Sequence, residues 1–398
     1  MVCEAGLSEA RASHAGSQAR SQARLANVDA LRCFAMTAVV AQHSGLLPFG
    51  WMGVWLFFVI SGFVVNLALL GPDMAPRGDL AGFFRRRAAR IVPIYYGYVL
   101  LAVAAALAAG QVPDPLAVAS LAGFFNNAAM ILGRGEIPGS PMAHLWTIST
   151  EMQFYLVYGV AFFLLPRRGV VVLLVALLLA GPLMRALVAA RLAALGWGAE
   201  PAGYAVYAGP FLHVDAFAIG ALLAFACRAG KLAALARGLA LSGFVALAAY
   251  AACYVWVNWA IRGATGVDLF RGVVSGILFG EHREILVYCA VNLASAGLVA
   301  LAATDDPLIR LPLRSRLARR IGEISYGAYV YHAAALYLVS IALRHFLSIG
   351  EDLSFAERSL LFGGGYIATL LLAEFSYRHI ETRFFRRRPL PPVTRASA

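Results

Sequence analysis

Runs of about twenty apolar residues, the length a helix needs to cross the hydrocarbon core of a bilayer, recur along nearly all of this 398-residue chain. Apolar residues make up 61% of it and charged residues 14%, where an ordinary soluble domain is about 25% charged. The excess apolar surface needs lipid, and no stretch remains that could form a soluble domain of useful size. The expected fold class is all-α: a polytopic membrane protein of about ten transmembrane helices in one bundle.

The expected spans are 28–47, 51–70, 91–110, 145–166, 169–190, 211–227, 238–260, 284–303, 321–343 and 359–378. The sixth is short, and 116–132 is apolar enough to dip into the membrane, so nine or eleven spans stay open. Most of the 33 basic residues fall on one side of this arrangement, in clusters at Arg85-Arg86-Arg87, Arg167-Arg168, Arg310 to Arg320 and Arg386-Arg387-Arg388. The positive-inside rule makes that side cytosolic. Residues 1–27 then form a polar cytosolic segment, 28–380 the membrane domain and 381–398 a basic cytosolic tail. The first 27 residues lack the short apolar run of a cleavable signal, so the first span is expected to act as an uncleaved anchor in the inner (plasma) membrane.

The net charge of +12 sits in clusters between apolar runs rather than on one basic surface, which argues against nucleic acid. The five cysteines are odd in number and scattered, with neither a disulfide framework nor a zinc spacing. No metal site is expected.

Ionisable residues inside spans are costly and usually face a protein interior. Asp29, Arg32 and His43 interrupt the first span; eleven residues separate Arg32 from His43, which puts them within about 20° of one face and roughly 16 Å apart. Arg87 and Arg90 lie one turn apart at the entrance to the third span. Guanidinium groups bind phosphate bidentately, so the pair suits a phosphorylated ligand, although anchoring to lipid headgroups accounts for most such clusters. His144, Thr147 and Glu151 share one face of the fourth span, and Glu151 sits at a depth where a carboxylate needs a partner or an elevated pKa; His43 is a candidate partner, and a purely structural Glu–His hydrogen bond stays open. Asp215 in the sixth span and Ser325, Tyr329 and His332 along one face of the ninth are further candidates. Glu374 and Arg378, one turn apart, read as a structural ion pair.

Read together, these residues resemble the acyltransferase-3 family of membrane O-acyltransferases, which includes O-antigen and exopolysaccharide acetyltransferases. The resemblance rests on six motifs in order: Asn27-Val28-Asp29-Ala30-Leu31-Arg32 with His43, Leu56 to Phe63 containing Ser61-Gly62, Arg87 and Arg90 leading to Pro93 and Tyr95, His144 to Tyr155 through Glu151, Val214-Asp215-Ala216, and Ser325-Tyr326-Gly327 to Tyr331-His332. It departs from the family pattern at Trp55 and Met152, where many members carry acidic residues. No esterase-like domain follows the last span, so the stand-alone form is expected.

The resemblance implies ten spans and transfer of an acyl group, usually acetyl from acetyl-CoA, to a hydroxyl of an extracytoplasmic carbohydrate or glycoconjugate. It implies that His43 is the essential histidine with Arg32 its paired arginine, that Arg87 and Arg90 meet the CoA donor, and that Ser61 and Gly62 form the serine-glycine motif. Acyl transfer to an alcohol needs a base and stabilisation of the charge that develops on the thioester oxygen. His43 is the expected base, Glu151 its orienting carboxylate, and an acyl-histidine intermediate stays open. No permanently bound cofactor is expected, and acetyl-CoA or another acyl-CoA would be a co-substrate. Among rival readings, a transporter or flippase of a lipid-linked sugar would show broken helices in two related halves, and no such pairing is found. A sensor or scaffold gives no reason to combine an inner arginine pair with an intramembrane histidine.

Overall fold

The computed structural model describes residues 25–71, 79–273, 275–347, 350 and 352–385. Most of the expected polar N-terminal segment (1–24) and all but the start of the basic tail (386–398) lie outside the described residues. The helices are α1 (25–43), α2 (Met52–Leu69), α3 (Leu80–Ala108), α4 (Pro115–Ala122), α5 (Asn126–Ile131), α6 (Trp146–Leu164), α7 (Arg167–Ala194), α8 (Ala199–Ala208), α9 (Val214–Arg228), α10 (Leu232–Ala260), α11 (Arg283–Ala303), α12 (Arg310–Leu313), α13 (Arg316–Glu323), α14 (Ser325–Leu347), α15 (Phe355–Ser376) and α16 (Thr382–Phe385). Among the described residues there is no β-strand, only one isolated bridge between Ile137 and Ser140.

This is a multi-pass, all-α membrane protein, but length and composition alone do not yield ten spans. Among the described residues, 7 helices are long and apolar enough to cross a membrane: α2, α3, α7, α10, α11, α14, and α15 continued to Phe384. Helices α1, α6 and α9 occupy the other three expected positions. α1 carries Asp29 and Arg32, α6 carries Glu151 and Gln153, and α9 has 15 residues, so their interior polarity or shortness keeps them below that standard. The apolar region 116–132 makes no span. It folds as α4 and α5, joined through Phe124 in a left-handed conformation (φ 57°). Side-chain bonds tie the pair to α3 and α6: Tyr95 Oη to Leu121 O (2.9 Å), and Gln153 Nε2 to Phe124 O (2.9 Å).

Burial separates inner from lipid-facing helices. In α2 and α11, 72% of the most apolar window is buried in the bundle, against 22% in α7 and α10. Leucines such as Leu179, Leu183, Leu187 and Leu241 are left exposed, as expected of side chains that meet lipid rather than water. The centre is the contact of α2 with α9, where Gly62 and Gly220 let the main chains touch. A Cβ on Gly62 would fall 2.1 Å from Phe217 O and one on Gly220 2.1 Å from Val59 O. Without a hydrophobic force between helices in lipid, such close approach is what holds them together.

At one end of the bundle Asn27 Nδ2 donates to Asp305 Oδ1 (3.1 Å) and Arg319 Nη2 donates to Asn27 Oδ1 (3.1 Å). The start of α1, the end of α11 and α13 therefore meet there, together with the basic clusters of α12 and α13. The expected Glu374–Arg378 pair is present (2.5 Å), and Arg320 joins it at 2.8 Å.

Candidate active site

Asp79 caps α3 by accepting from Gly82 N (2.8 Å) and also holds Arg86 (2.9 Å). With Arg86 turned to its cap, Arg87 and Arg90, one turn apart, face the bundle interior. There they line a cavity with about 100 Å³ of room for water, together with Arg32, Ser61, Glu151, Tyr155, Ser325, Tyr326, Tyr329 and apolar side chains of α2. Five helices thus deliver one polar chamber. It holds three guanidinium groups and one carboxylate. Arg32 is paired with Asp29 at 2.6 Å. Arg87 stands over the Tyr155 ring (5.9 Å), and neither it nor Arg90 makes an ion pair among the described residues. A concave site lined by guanidinium groups has the chemistry to accept an anion.

Glu151 does not pair with His43. Ser61 Oγ donates to Glu151 Oε1 at 2.6 Å and Tyr155 Oη to the same oxygen at 2.5 Å. The reason is position along the axis: Glu151 lies about one and a half turns into α6, beside Ser61 of α2, whereas His43 ends α1 beside His332. His43 is exposed, and its ring meets His332 edge-on with centroids 5.0 Å apart. His332 in turn meets His144 at 4.8 Å and Tyr329 at 5.3 Å. Tyr329 divides the two regions. Its ring lines the cavity, and its hydroxyl donates to His144 O (3.2 Å) and accepts from Thr147 Oγ1 (2.9 Å).

The structure thus gathers Arg32, Ser61, Arg87, Arg90 and Glu151 into the chamber, and His43, His144 and His332 into a second cluster beyond Tyr329. Two expected site residues join neither. Gly62 faces Phe217 across the α2–α9 contact, where its missing side chain serves packing. Asp215 is buried against Arg185, with Arg185 Nη2 to Asp215 Oδ2 at 2.8 Å and Arg185 Nη1 to Oδ1 at 3.0 Å, and it also accepts from Asn292 Nδ2 (3.0 Å). Trp55, the departure from the family pattern, is fully buried and stacks on Tyr288 (4.9 Å). No group of three or more His, Cys, Asp or Glu suited to a metal occurs among the described residues.

Sequence reading assigned no site role to Tyr155, Tyr326 or Glu381. Tyr155 follows Glu151 by one turn, and that spacing is the signal that could have found it. Tyr326 donates to Ile91 O (2.8 Å), tying α14 to α3 beside Pro93. Glu381 is buried with Oε1 unpartnered among the described residues, within electrostatic reach of Arg90 and Arg320. A wide π-helical turn, Tyr377–Glu381, carries it inward seven residues after Glu374, out of what reads as a basic tail.

Residues 25–377 match the acyltransferase-3 family model, described as an acyltransferase domain. The chain belongs to this family. Among relatives, it is 26% identical over 388 residues to the peptidoglycan O-acetyltransferase OatA of Listeria monocytogenes, covering 89% of this chain and 55% of that protein. It is 22% identical over 385 residues to the O-acetyltransferase OatA of Staphylococcus aureus, covering 90% and 57%. The putative membrane-bound transacylase BcsY of Komagataeibacter xylinus is 30% identical over 157 residues, 36% of this chain and 38% of that one. The chain thus spans little more than half the length of either OatA. No solved structure gives a significant match.

Proposed function

We propose that this family member is a membrane O-acyltransferase that moves an acyl group, acetyl in the first instance, from cytosolic acyl-CoA to a hydroxyl of an extracytoplasmic carbohydrate. The observation that carries the reading is the chamber itself, which opens three guanidinium groups, two of them without a carboxylate partner among the described residues, between α1, α3 and α6 of an acyltransferase domain. The donor's phosphates would take Arg87 and Arg90 at the arginine-rich, cytosolic end of a chain set in the inner membrane, with both termini on that side. Its thioester would reach toward Thr147 and Tyr329, and His43 would act from the opposite end. For the acyl group to pass, the Thr147–Tyr329 hydrogen bond must open. Two relatives named as O-acetyltransferases, one of them acting on peptidoglycan, favour a cell-envelope glycan as acceptor.

In the reaction the acceptor's O–H proton goes to a free nitrogen of His43 as the oxygen attacks the thioester carbon. The new C–O bond forms, the C–S bond breaks, and the CoA thiolate recovers the proton from the imidazolium. Ser61, Tyr155 and Glu151 form a polar wall beside the donor.

The test is the acetyl content and mass of surface glycans in wild type, in a deletion strain, and in the deletion complemented with His43→Ala. Acetyl groups lost in the deletion and not restored by the stably inserted variant are expected. Unchanged acylation together with lost export of a glycan would instead make the chain a transporter.

A further inference from the structure

His144 and His332 are both buried, and each turns one ring nitrogen to a main-chain oxygen. His144 Nε2 lies 3.0 Å from Val330 O and His332 Nδ1 2.5 Å from Tyr329 O. A carbonyl only accepts, so in the neutral rings these nitrogens carry the protons. The other nitrogens, His144 Nδ1 and His332 Nε2, are therefore lone-pair acceptors, and both are buried without a partner among the described residues. Leaving a buried acceptor unpartnered is costly, and such an atom calls for a role that offsets the cost.

The ring next to His332 on the open side is His43. The groups packed on His332 are His43, His144 and Tyr329, none of them a carboxylate, and Glu151 is engaged by Ser61 and Tyr155. We propose that His332 is the positioning residue for His43. Its Nε2 lone pair accepts the N–H of His43, which leaves the other His43 nitrogen unprotonated and directed at the acceptor hydroxyl. The main-chain bond at Nδ1 fixes the required tautomer and makes Nε2 the better acceptor, and His144 packs behind it.

In the structure the two rings are in edge contact, and the hydrogen bond closes when the acceptor is bound, as catalytic bonds often do. Over one turnover His332 gains and loses no proton: the acceptor's proton passes to His43 and on to the departing thiolate. An imidazole thereby holds the place that a carboxylate holds in a serine triad. This deepens the O-acyltransferase reading and rests on it.

The experiment uses membranes of the deletion strain carrying wild type, His332→Phe, His332→Gln or His332→Ala at matched levels, with radiolabelled acetyl-CoA as donor and label in the glycan fraction as readout. Phe keeps ring volume without a lone pair, whereas Gln keeps an acceptor. Expected are a fall in kcat of about a hundredfold for Phe and Ala, KM for acetyl-CoA within twofold of wild type, at least a tenth of wild-type turnover for Gln, and recovery of Ala by added imidazole. Wild-type kcat in a folded Phe variant would overturn the assignment, as would equal losses in Gln and Phe without imidazole rescue. No label incorporated by wild type itself would sink the underlying reading, and the positioning role with it.

Discussion

Asp215→Asn is expected to act on stability rather than on chemistry. Arg185 is fully buried and its partner nearly so, at 0% and 2% side-chain exposure. Asn keeps the shape and one acceptor oxygen but removes the charge, leaving Arg185 a buried cation whose other contacts are Leu212 O (2.6 Å), Cys289 Sγ (3.6 Å) and the face of Tyr288 (5.4 Å). Breaking one side of such a pair costs about 3–5 kcal/mol, a large share of a total stability of about 5–15 kcal/mol. The unfolding midpoint of the detergent-solubilised protein, followed by size exclusion after heating, should fall by about 5 °C or more. Arg185→Met combined with Asp215→Leu removes both charges and should recover most of that loss. An unchanged midpoint in Asp215→Asn, or a double variant no better than the single one, would refute the structural role. An unchanged midpoint with abolished turnover would return Asp215 to the chemistry.

Arg87→Ala with Arg90→Ala should weaken acetyl-CoA binding roughly a hundredfold or more, since each charge-assisted bond contributes about 1.5–3 kcal/mol; equilibrium dialysis on folded protein checks this, and normal binding would move the donor elsewhere. Gly62→Ala should cut the yield of folded protein in membrane extracts, because its methyl must push α9 off Phe217 O; wild-type yield would mean that α2 and α9 separate readily. Asp114 caps α4, which is not one of the helices long and apolar enough to span. Arg134, helped by the Leu116 N–H, holds its carboxyl below the usual range. A depressed folded value means that the cap's contribution is full above the unfolded value of about 3.9 and is lost as pH falls through the lower folded one. Protection factors across 115–122, which are taken relative to intrinsic exchange at each pH, should therefore stay high at pH 5 and fall only under stronger acid, whereas Asp114→Ala should be less protected at both.

Much of the site was legible because helical spacing is local. The turn linking Arg87 to Arg90, the face shared by His144, Thr147 and Glu151, and that of Ser325, Tyr329 and His332 follow from 3.6 residues per turn, and the structure keeps each face directed inward. The partner of Glu151 was not legible, since spacing within α1 and α6 says nothing of their relative height. Asp215 is similar: on its own helix it is one acidic residue in an apolar run, and only the packing of α7 and α11 against α9 supplies Arg185 and Asn292.

The sequence by itself determined that this is an all-α, multi-pass membrane protein of the acyltransferase-3 family, with clustered arginines and a histidine eleven residues beyond Arg32 in α1. Those properties depend on composition, periodicity and motif order, which the chain carries at every point. Tertiary structure alone decided that Ser61 and Tyr155 hold Glu151, that Gly62 is a packing residue, and that His332 rather than a carboxylate faces His43. These depend on which helix lies beside which and at what height, and close approach such as that of Gly62 to Phe217 O is fixed only when the whole bundle packs.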